Sequence, residues 1–418
     1  MPEPEHLCTV GIYWTIVKDM MTHVTETAPH RGDSPQHPDF EAAVAGGALT
    51  SEGPGSIHRY RNLILGGVAI LLLAMAMLVS YSTAFGDPTP NNIHVAVTGD
   101  ADTIVALEQQ GSLELTVVSS AEEAQAAVLD RDVDGAVVLP APGTGGQVAT
   151  YIASGGGRGV AQAVSGIAAS IAAKTQTTNP TTDLAPLPEN DPVGSIEFYA
   201  ILFAGLGAAL GATVFGRILG TVDTAAKFVE RSVVLVIYAG LLAGLITLWI
   251  DSALDAVTVG PWGVFGVLWL TGLAIGGAVT GVAALGGTIA ALAMTLALVI
   301  LGNTSSGGPL GIHVLNDFFQ ALYYVFPQGD ALDLLRSVQY FDGAAVTAPI
   351  IRLGIWAVAG ILLTLAAMLF RARREAADRA MEARREAGTR PAAGPSPTHA
   401  QHAAVSTSAE FLPLTPSA

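Results

Sequence analysis

Residues able to do chemistry are scarce in this chain, and their spacing excludes most of the usual machinery. The three lysines, Lys18, Lys174 and Lys227, follow Val17, Ala173 and Ala226. A phosphate-binding loop of the Walker type needs Gly-Lys-Ser/Thr, so that backbone amides cradle the phosphates while Lys reaches the terminal ones. None of the three fits. The stretch "SGGGRG" (154–159) is Gly-rich but lacks the G-x-G-x-x-G spacing that opens a dinucleotide-binding β-α-β unit, and it reads as a flexible loop. No H-E-x-x-H, G-x-S-x-G or C-x-x-C occurs, and the nine His are dispersed. The single Cys8 can neither pair within the chain nor build a Cys-based metal cluster. The sequence therefore predicts no enzyme, no cofactor and no metal.

The elements available to position anything are apolar. Of 418 residues 51% are hydrophobic and 13% charged, about half the charged share of an average soluble domain. A formal charge of −16 argues against nucleic acid as a partner, because that affinity comes from Lys and Arg neutralising phosphates. A polytopic α-helical membrane protein remains, with the lipid bilayer as its first partner. Crossing a hydrocarbon core of about 30 Å takes roughly 20 apolar residues, and charges mark the edges. The first membrane segment is 59–86, with its apolar run at about Leu63–Phe85; some 60 preceding residues and its length argue against a cleaved signal peptide. A bundle over 196–371 supplies further runs at about 197–217, 231–251 and 350–371. Between Asp255 and Asp317 lies an uncharged stretch of 61 residues, too long for one crossing. Gly286 and Gly287 divide it into spans at 261–284 and 288–303, which makes six.

Orientation follows from Lys and Arg, which collect on cytoplasmic flanks. Arg59 and Arg61 precede span one, Arg217, Lys227 and Arg231 lie between spans two and three, and Arg371, Arg373 and Arg374 follow span six. Six spans place all of these inside, with both termini cytoplasmic and the chain in the cell membrane. The acidic connectors then face out. Pairs of Gly at four-residue spacing (Gly207/Gly211, Gly240/Gly244, Gly272/Gly276, Gly277/Gly281) predict close helix packing.

Three soluble parts remain. Residues 1–58 read as disordered, although the first twenty are apolar enough to suggest a true start at Met20 or Met21. The tail 372–418 begins as an Arg/Glu/Ala helix and ends in Pro/Ser/Thr-rich sequence. Residues 87–195 form the one sizeable extracytoplasmic domain. Strand-like runs at 93–99, 113–119 and 133–140 alternate with helix formers, "DADTIVALEQQG" and "SAEEAQAAVLDRD", the latter capped by Ser120. That is β-α-β-α-β, a small open α/β sheet. "QVATYIA" offers a further strand, 159–174 a helix, and a Pro-rich linker leads to span two. Thirteen Asp and Glu face only Arg131, Arg158 and Lys174 here.

After span five, two short apolar stretches, Val314–Phe326 and Ala331–Phe341, flank Pro327-Gln328-Gly329. Each is too short to cross, so 312–343 reads as interfacial or re-entrant helices on the outer side, with Asp330 as an N-cap. Arg352, at the outer end of span six, can snorkel. In this segment the sequence resembles the ABC-2-type permeases, in the branch related to YhgE/Pip membrane proteins. The features that carry the likeness are the Ser/Gly/Pro loop Asn303–Pro309, the break Pro327–Gly329, Arg336 and the aromatic-Gly end Tyr340–Gly343. "DVDGAVVLP" and "DPVGSIEFYA" also resemble that family's segments, and the likeness covers about 60–371.

The resemblance implies the membrane subunit of an exporter, moving a hydrophobic or amphipathic substrate (a lipid, peptide or drug) outward. A separate cytoplasmic ATPase subunit would supply the energy, and a homodimer or a heterodimer with a second permease would form the path. Its coupling loop would be 217–231, through a short helix from Thr221 to Glu230 that includes Asp223 and Lys227. Its outer gate would be Asn303, Ser305, Ser306 and Pro309, with Pro327, Gly329 and Arg336 beside them. The alternative is a passive receptor or scaffold whose acidic outer domain binds a partner or phage. An ion-coupled carrier ranks last, since no evident ion relay lies within the spans.

Overall fold

The computed structural model describes residues 55–99, 104–105, 108, 111–140 and 146–389. The expected disorder of residues 1–54, Cys8, the alternative start, most of "DADTIVALEQQG" and the tail from 390 lie outside the described residues. Two units divide at Ala69–Ile70, inside the first helix α1 (Gly55–Phe85). The second unit, Ile70–Ala418, holds the α/β domain and the helices that pack on it. Helix α1 starts directly after Pro54, earlier than the expected boundary at 58, because nothing between Ser56 and Asn62 breaks it.

The described residues of the α/β domain show the three predicted strands and the second of the two predicted helices. Strands β1 (Ile93–Thr98), β2 (Leu113–Val117) and β3 (Gly135–Val138) are mutually parallel, with β1 in the middle. Parallel neighbours require crossovers, and α2 (Ala121–Leu129) supplies the one from β2 to β3. Ser120 caps it by accepting from the Glu123 amide at 3.1 Å. β4 (Ala149–Ile152) joins β3 antiparallel, and β5 (Thr181–Asp183) joins β4 parallel, giving the order β2-β1-β3-β4-β5. β5 lies in the stretch read as linker; Thr181 and Thr182 have strand propensity that the surrounding prolines masked. One face of the sheet buries Ile93, Val95 and Val97 against Val160, Val164 and Ile171 of α3 (Arg158–Thr175). Val314, Leu315 and Phe319, which lie in sequence between the last two long helices, complete that same core.

Among the described residues, five helices are long and apolar enough to cross a membrane: Ile64–Phe85, Ile196–Ile218, Ala225–Ser252, Pro261–Ser305 and Thr347–Arg385. They belong to α1, α4 (Ile196–Ile218), α5 (Ala225–Ser252), α6 (Pro261–Ala297) and α9 (Thr347–Thr389). The sequence divides the fourth into two spans; the structure gives one helical trace of 45 residues, continued past Ala297 by a π-turn, Leu298–Gly302. It is broken at Gly287, whose φ of 70° and ψ of −162° belong to a region that is essentially glycine-only. Both ends of this trace reach α8 (Pro327–Tyr340): Gly263 lies against Val338, and Gly302 against Gln328. Ile275 and Val279 before the break share a core with Ala291 and Leu298 after it. Gly287→Ala is expected to cost of order 1–3 kcal/mol, read as a lower melting temperature in detergent; an unchanged value would mean the break tolerates a side chain.

Small residues line the helix contacts, as their spacing suggested. Gly272 faces Ala239, Gly276 faces Leu235, and Gly207 faces Leu242. The tightest contact, however, joins Gly277 and Gly281 of α6 to Gly360 of α9. Gly240 is looser: a Cβ there would meet Trp269 Nε1 at 3.5 Å, an ordinary contact.

Candidate functional site

Most of the buried charged side chains of the membrane bundle gather at the end nearest the α/β domain, around α8. That helix begins with Pro327 at its first position, where a missing amide costs nothing. Phe326 precedes it as the capping residue, so Asp330 sits within the first turn and does not serve as the expected N-cap. Before it, α7 (Asp317–Tyr323) is capped by Asn316, whose side chain accepts from the Phe319 amide. Two short helices are therefore present where a pair was expected, with their boundaries moved by a few residues.

Arg336 is the centre of this end. It is 4% exposed and donates from Nη1 to the Gly156 carbonyl at 3.2 Å and from Nη2 to the Gly308 carbonyl at 2.6 Å. Glu197, Asp333, Arg131 and Tyr340 are close enough to act on its charge. Glu197, 1% exposed in the first turn of α4, accepts from the Tyr340 hydroxyl and, at 3.4 Å, from Gln339 Nε2. Arg131 reaches out of the domain to Asp333, with 2.8 Å from Nη2 to the carboxylate and 2.9 Å from Nη1 to the carbonyl. The same guanidinium donates to Ser337 Oγ at 2.6 Å and lies 4.9 Å from the centre of the Phe341 ring. Asp330 pairs with Arg352 of α9 at 2.6 Å, so that arginine is held by a carboxylate and does not simply snorkel.

Three arginines and three carboxylates thus meet from the domain, α4, α8 and α9. Burial is what shifts their protonation most. It pushes the Tyr340 hydroxyl up, and the neighbouring Glu197 charge adds to this. Burial likewise raises the Asp333 carboxyl, but the charge and hydrogen bond of Arg131 outweigh it and leave the group below its usual range. For Asp330 burial wins over Arg352 and pushes the carboxyl up to about 6. A carboxyl raised in the folded state binds its proton more tightly there, so its stabilising contribution is greatest at low pH. That contribution falls as pH rises from 3.8 to about 6. The stability gap between the parent chain and Asp330→Asn should therefore move against the parent across that window. Melting temperatures of both across pH 4 to 7 check it, and a constant gap would contradict it.

The predicted gate residues do come together. Asn303, Ser305 and Ser306 are buried, and α6 runs on helically through Ser305 in place of a loop from 303. Their side chains turn back on their own carbonyls: Asn303 Nδ2 to Val299 at 3.1 Å, Ser305 Oγ to Gly302 at 3.2 Å, Ser306 Oγ to Asn303 at 2.7 Å. A π-turn leaves its carbonyls poorly served, and Gln328 Nε2 takes one of them, Leu298, at 2.8 Å. The carbonyls of Pro309 and Leu310 accept from the Arg158 and Val160 amides at the start of α3, satisfying donors that a helix leaves orphaned. Pro327 and Gly329 are buried in the first turn of α8, Gly329 against Tyr323. "SGGGRG" proves to be a packed turn, because Gly155 abuts the Tyr340 ring and Gly157 abuts Gly311.

The predicted coupling residues lie at the other end of α4. Thr221 and Asp223 precede the helix, Thr224 caps it, and Lys227 and Glu230 fall in the first turns of α5 itself. The expected separate short helix does not exist, since no breaker follows Thr224 and the helix runs on into the apolar stretch. Asp223 and Lys227 pair at 2.9 Å on the exposed surface. Arg231 donates to the Gly220 carbonyl at 3.2 Å and to Ala212 at 3.3 Å. Arg371 of α9 donates to Val222 at 3.1 Å and to Ala284, three residues before the break in α6.

Sequence reasoning missed Arg131, Glu197 and Arg371 as members of these sites. The available signals were a lone Arg in an acidic domain and charges at the ends of apolar runs, both of which have ordinary explanations.

No protein-family model, characterised protein or solved structure matches this chain.

Proposed function

We propose that the chain is the membrane subunit of an ABC-2-type exporter that carries a hydrophobic or amphipathic substrate outward. In this reading α6 doubles back at Gly287 and crosses the membrane twice, so there are six crossings. The α/β domain and α8 then face outward, and the clamped loop 219–224 faces the cytoplasm. One observation carries the reading: Arg371 joins that loop to both the last helix and the break in α6. A force applied to the loop is therefore delivered to the two helices that pack most tightly on each other. The far end is closed by the buried segment 303–308, held by Arg336. A separate ATPase would push at Thr221–Glu230, and the exposed apolar faces of α1, α4 and α5 would meet lipid or a second subunit.

Two experiments test this. In a chain carrying Cys8→Ser, single cysteines at Trp262 and Asp317 should be labelled by a membrane-impermeant thiol reagent from the same side, and one at Thr288 from the opposite side. Labelling of position 317 from the side opposite to position 262 would refute the sixth crossing. Efflux of a fluorescent amphipath from cells expressing the chain with its energising subunit should stop on ATP depletion and persist with a protonophore. The reverse pattern would assign an ion-coupled carrier.

A further inference from the structure

His94, Asp134 and His313 are distant in sequence, yet one ligand atom of each lies within 4.8 Å of the other two. The arrangement is fixed from both sides. β1 and β3 are parallel neighbours, and the Asp134 amide donates to the His94 carbonyl at 2.8 Å. In return the His94 amide donates to Asp134 Oδ2, also at 2.8 Å, which orients the carboxylate. His313 comes from the turn Ile312–Val314 that follows α6. It is held by the Asn91 amide on its carbonyl and by burial of Val314 and Leu315 in the domain core. Its Nδ1 lies 2.6 Å from the same Oδ2. The two imidazoles stand 4.7 Å apart, tilted by 39°. Glu114, the register partner of His94 on β2, brings a second carboxylate to 3.1 Å from His94 Nε2. One imidazole thus rests on the oriented Asp134 carboxylate while a second stands beside it, within 4.8 Å and turned toward Glu114, an arrangement beyond what a single hydrogen bond requires.

We propose that His94, Asp134 and His313 bind one divalent transition-metal ion, Zn²⁺ foremost, which staples the α/β domain to the segment leaving α6. Two imidazole nitrogens with a carboxylate oxygen suit Zn²⁺, Ni²⁺ or Cu²⁺ better than the oxygen-loving Ca²⁺ or Mg²⁺. Bonds of about 2.0–2.2 Å in tetrahedral geometry separate ligand atoms by about 3.3 Å. His313 Nδ1 and Asp134 Oδ2 therefore need to part by less than about 1 Å from their present 2.6 Å. Side-chain exposures of 36% for His94, 24% for Asp134 and 15% for His313 leave an entry path. Water or Glu114 completes the set. The acidic domain around it raises the local cation concentration. The site stands independently of the exporter reading; only an effect of metal on export would depend on both.

The test uses the full-length chain, purified in detergent on an affinity tag without histidine, stripped with chelator and exposed to micromolar Zn²⁺. Metal per chain is measured after desalting, together with the melting temperature and the visible absorption of the Co²⁺ form. The expected result is one retained ion per chain, a rise in melting temperature and a tetrahedral Co²⁺ spectrum. All three should be lost in His313→Gln and in Asp134→Asn, while Glu114→Gln should weaken affinity about tenfold or more. Should His313→Gln fail to fold, His94→Gln, altered at the more exposed imidazole, serves the same purpose. Retention unchanged in these variants would place the metal on other histidines, and no retention would leave a hydrogen-bonded His–Asp pair only; either overturns the proposal.

Discussion

Arg336→Met is expected to lower stability by about 3–5 kcal/mol, the usual consequence of removing one partner from a buried ionic network. The variant strands the Gly156 and Gly308 carbonyls and removes the positive charge beside Glu197 and Asp333. Methionine fills much of the volume, so lost packing would explain little of the effect. Arg336→Lys should fall between, since an ammonium keeps the charge but is a poorer bridge between two carbonyls than a planar fork. Thermal unfolding followed by fluorescence-detected gel filtration measures both. A melting temperature for Arg336→Met equal to the parent's would mean that the guanidinium faces solvent.

Gly360→Leu should have the second large effect, a near-complete loss of folded protein. A Cβ at this position would overlap the Gly277 carbonyl and the Ala278 amide, both backbone atoms that cannot rotate away. One at Gly281 would lie 2.6 Å from the Gly360 carbonyl and 2.9 Å from Leu363 Cβ. Overpacking a close crossing of this kind typically costs about 1–3 kcal/mol when neighbours can yield, and here the neighbours are main chain. Gly354→Leu, on the same helix with nothing within 4 Å of its added Cβ, is the control. Comparable yields for the two variants would show that α6 and α9 do not cross as described.

Much of the architecture could be read from the sequence because its physical signals are local. Apolar length between charges gave the long helices, Ser120 before Glu122 and Glu123 gave the start of α2, and parallel strands required their crossovers. The Gly286-Gly287 pair marked the break inside the helix Pro261–Ala297, at Gly287. What escaped was every feature made by residues distant in sequence. Arg131 meets Asp333 across 202 positions, Glu197 meets Tyr340 across 143, and Asp134 meets His313 across 179. Each of these residues has a bland local meaning: a solvated charge, a span boundary, a scattered histidine. Only the close approach of the domain to α8 gives them another. Asp330 shows the same failure at short range, since a plausible cap became a buried partner of Arg352 once Pro327 took the first position of its helix. Segment 303–309 was legible as a group because its residues are contiguous, whereas the arginine clamp at 220–222 was not, because Arg371 comes from 149 residues further along.

Whether an ATPase works on the loop between α4 and α5 is open to direct measurement. A photo-crosslinking amino acid at Asp223, an exposed position, should be activated in intact cells that naturally express the chain, and the adducts identified by mass spectrometry. The expected outcome is one dominant partner bearing G-x-x-x-x-G-K-[ST], absent when the same probe is placed at Glu114 on the α/β domain. Adducts containing no such protein, or the same protein captured equally from Glu114, would contradict the exporter reading.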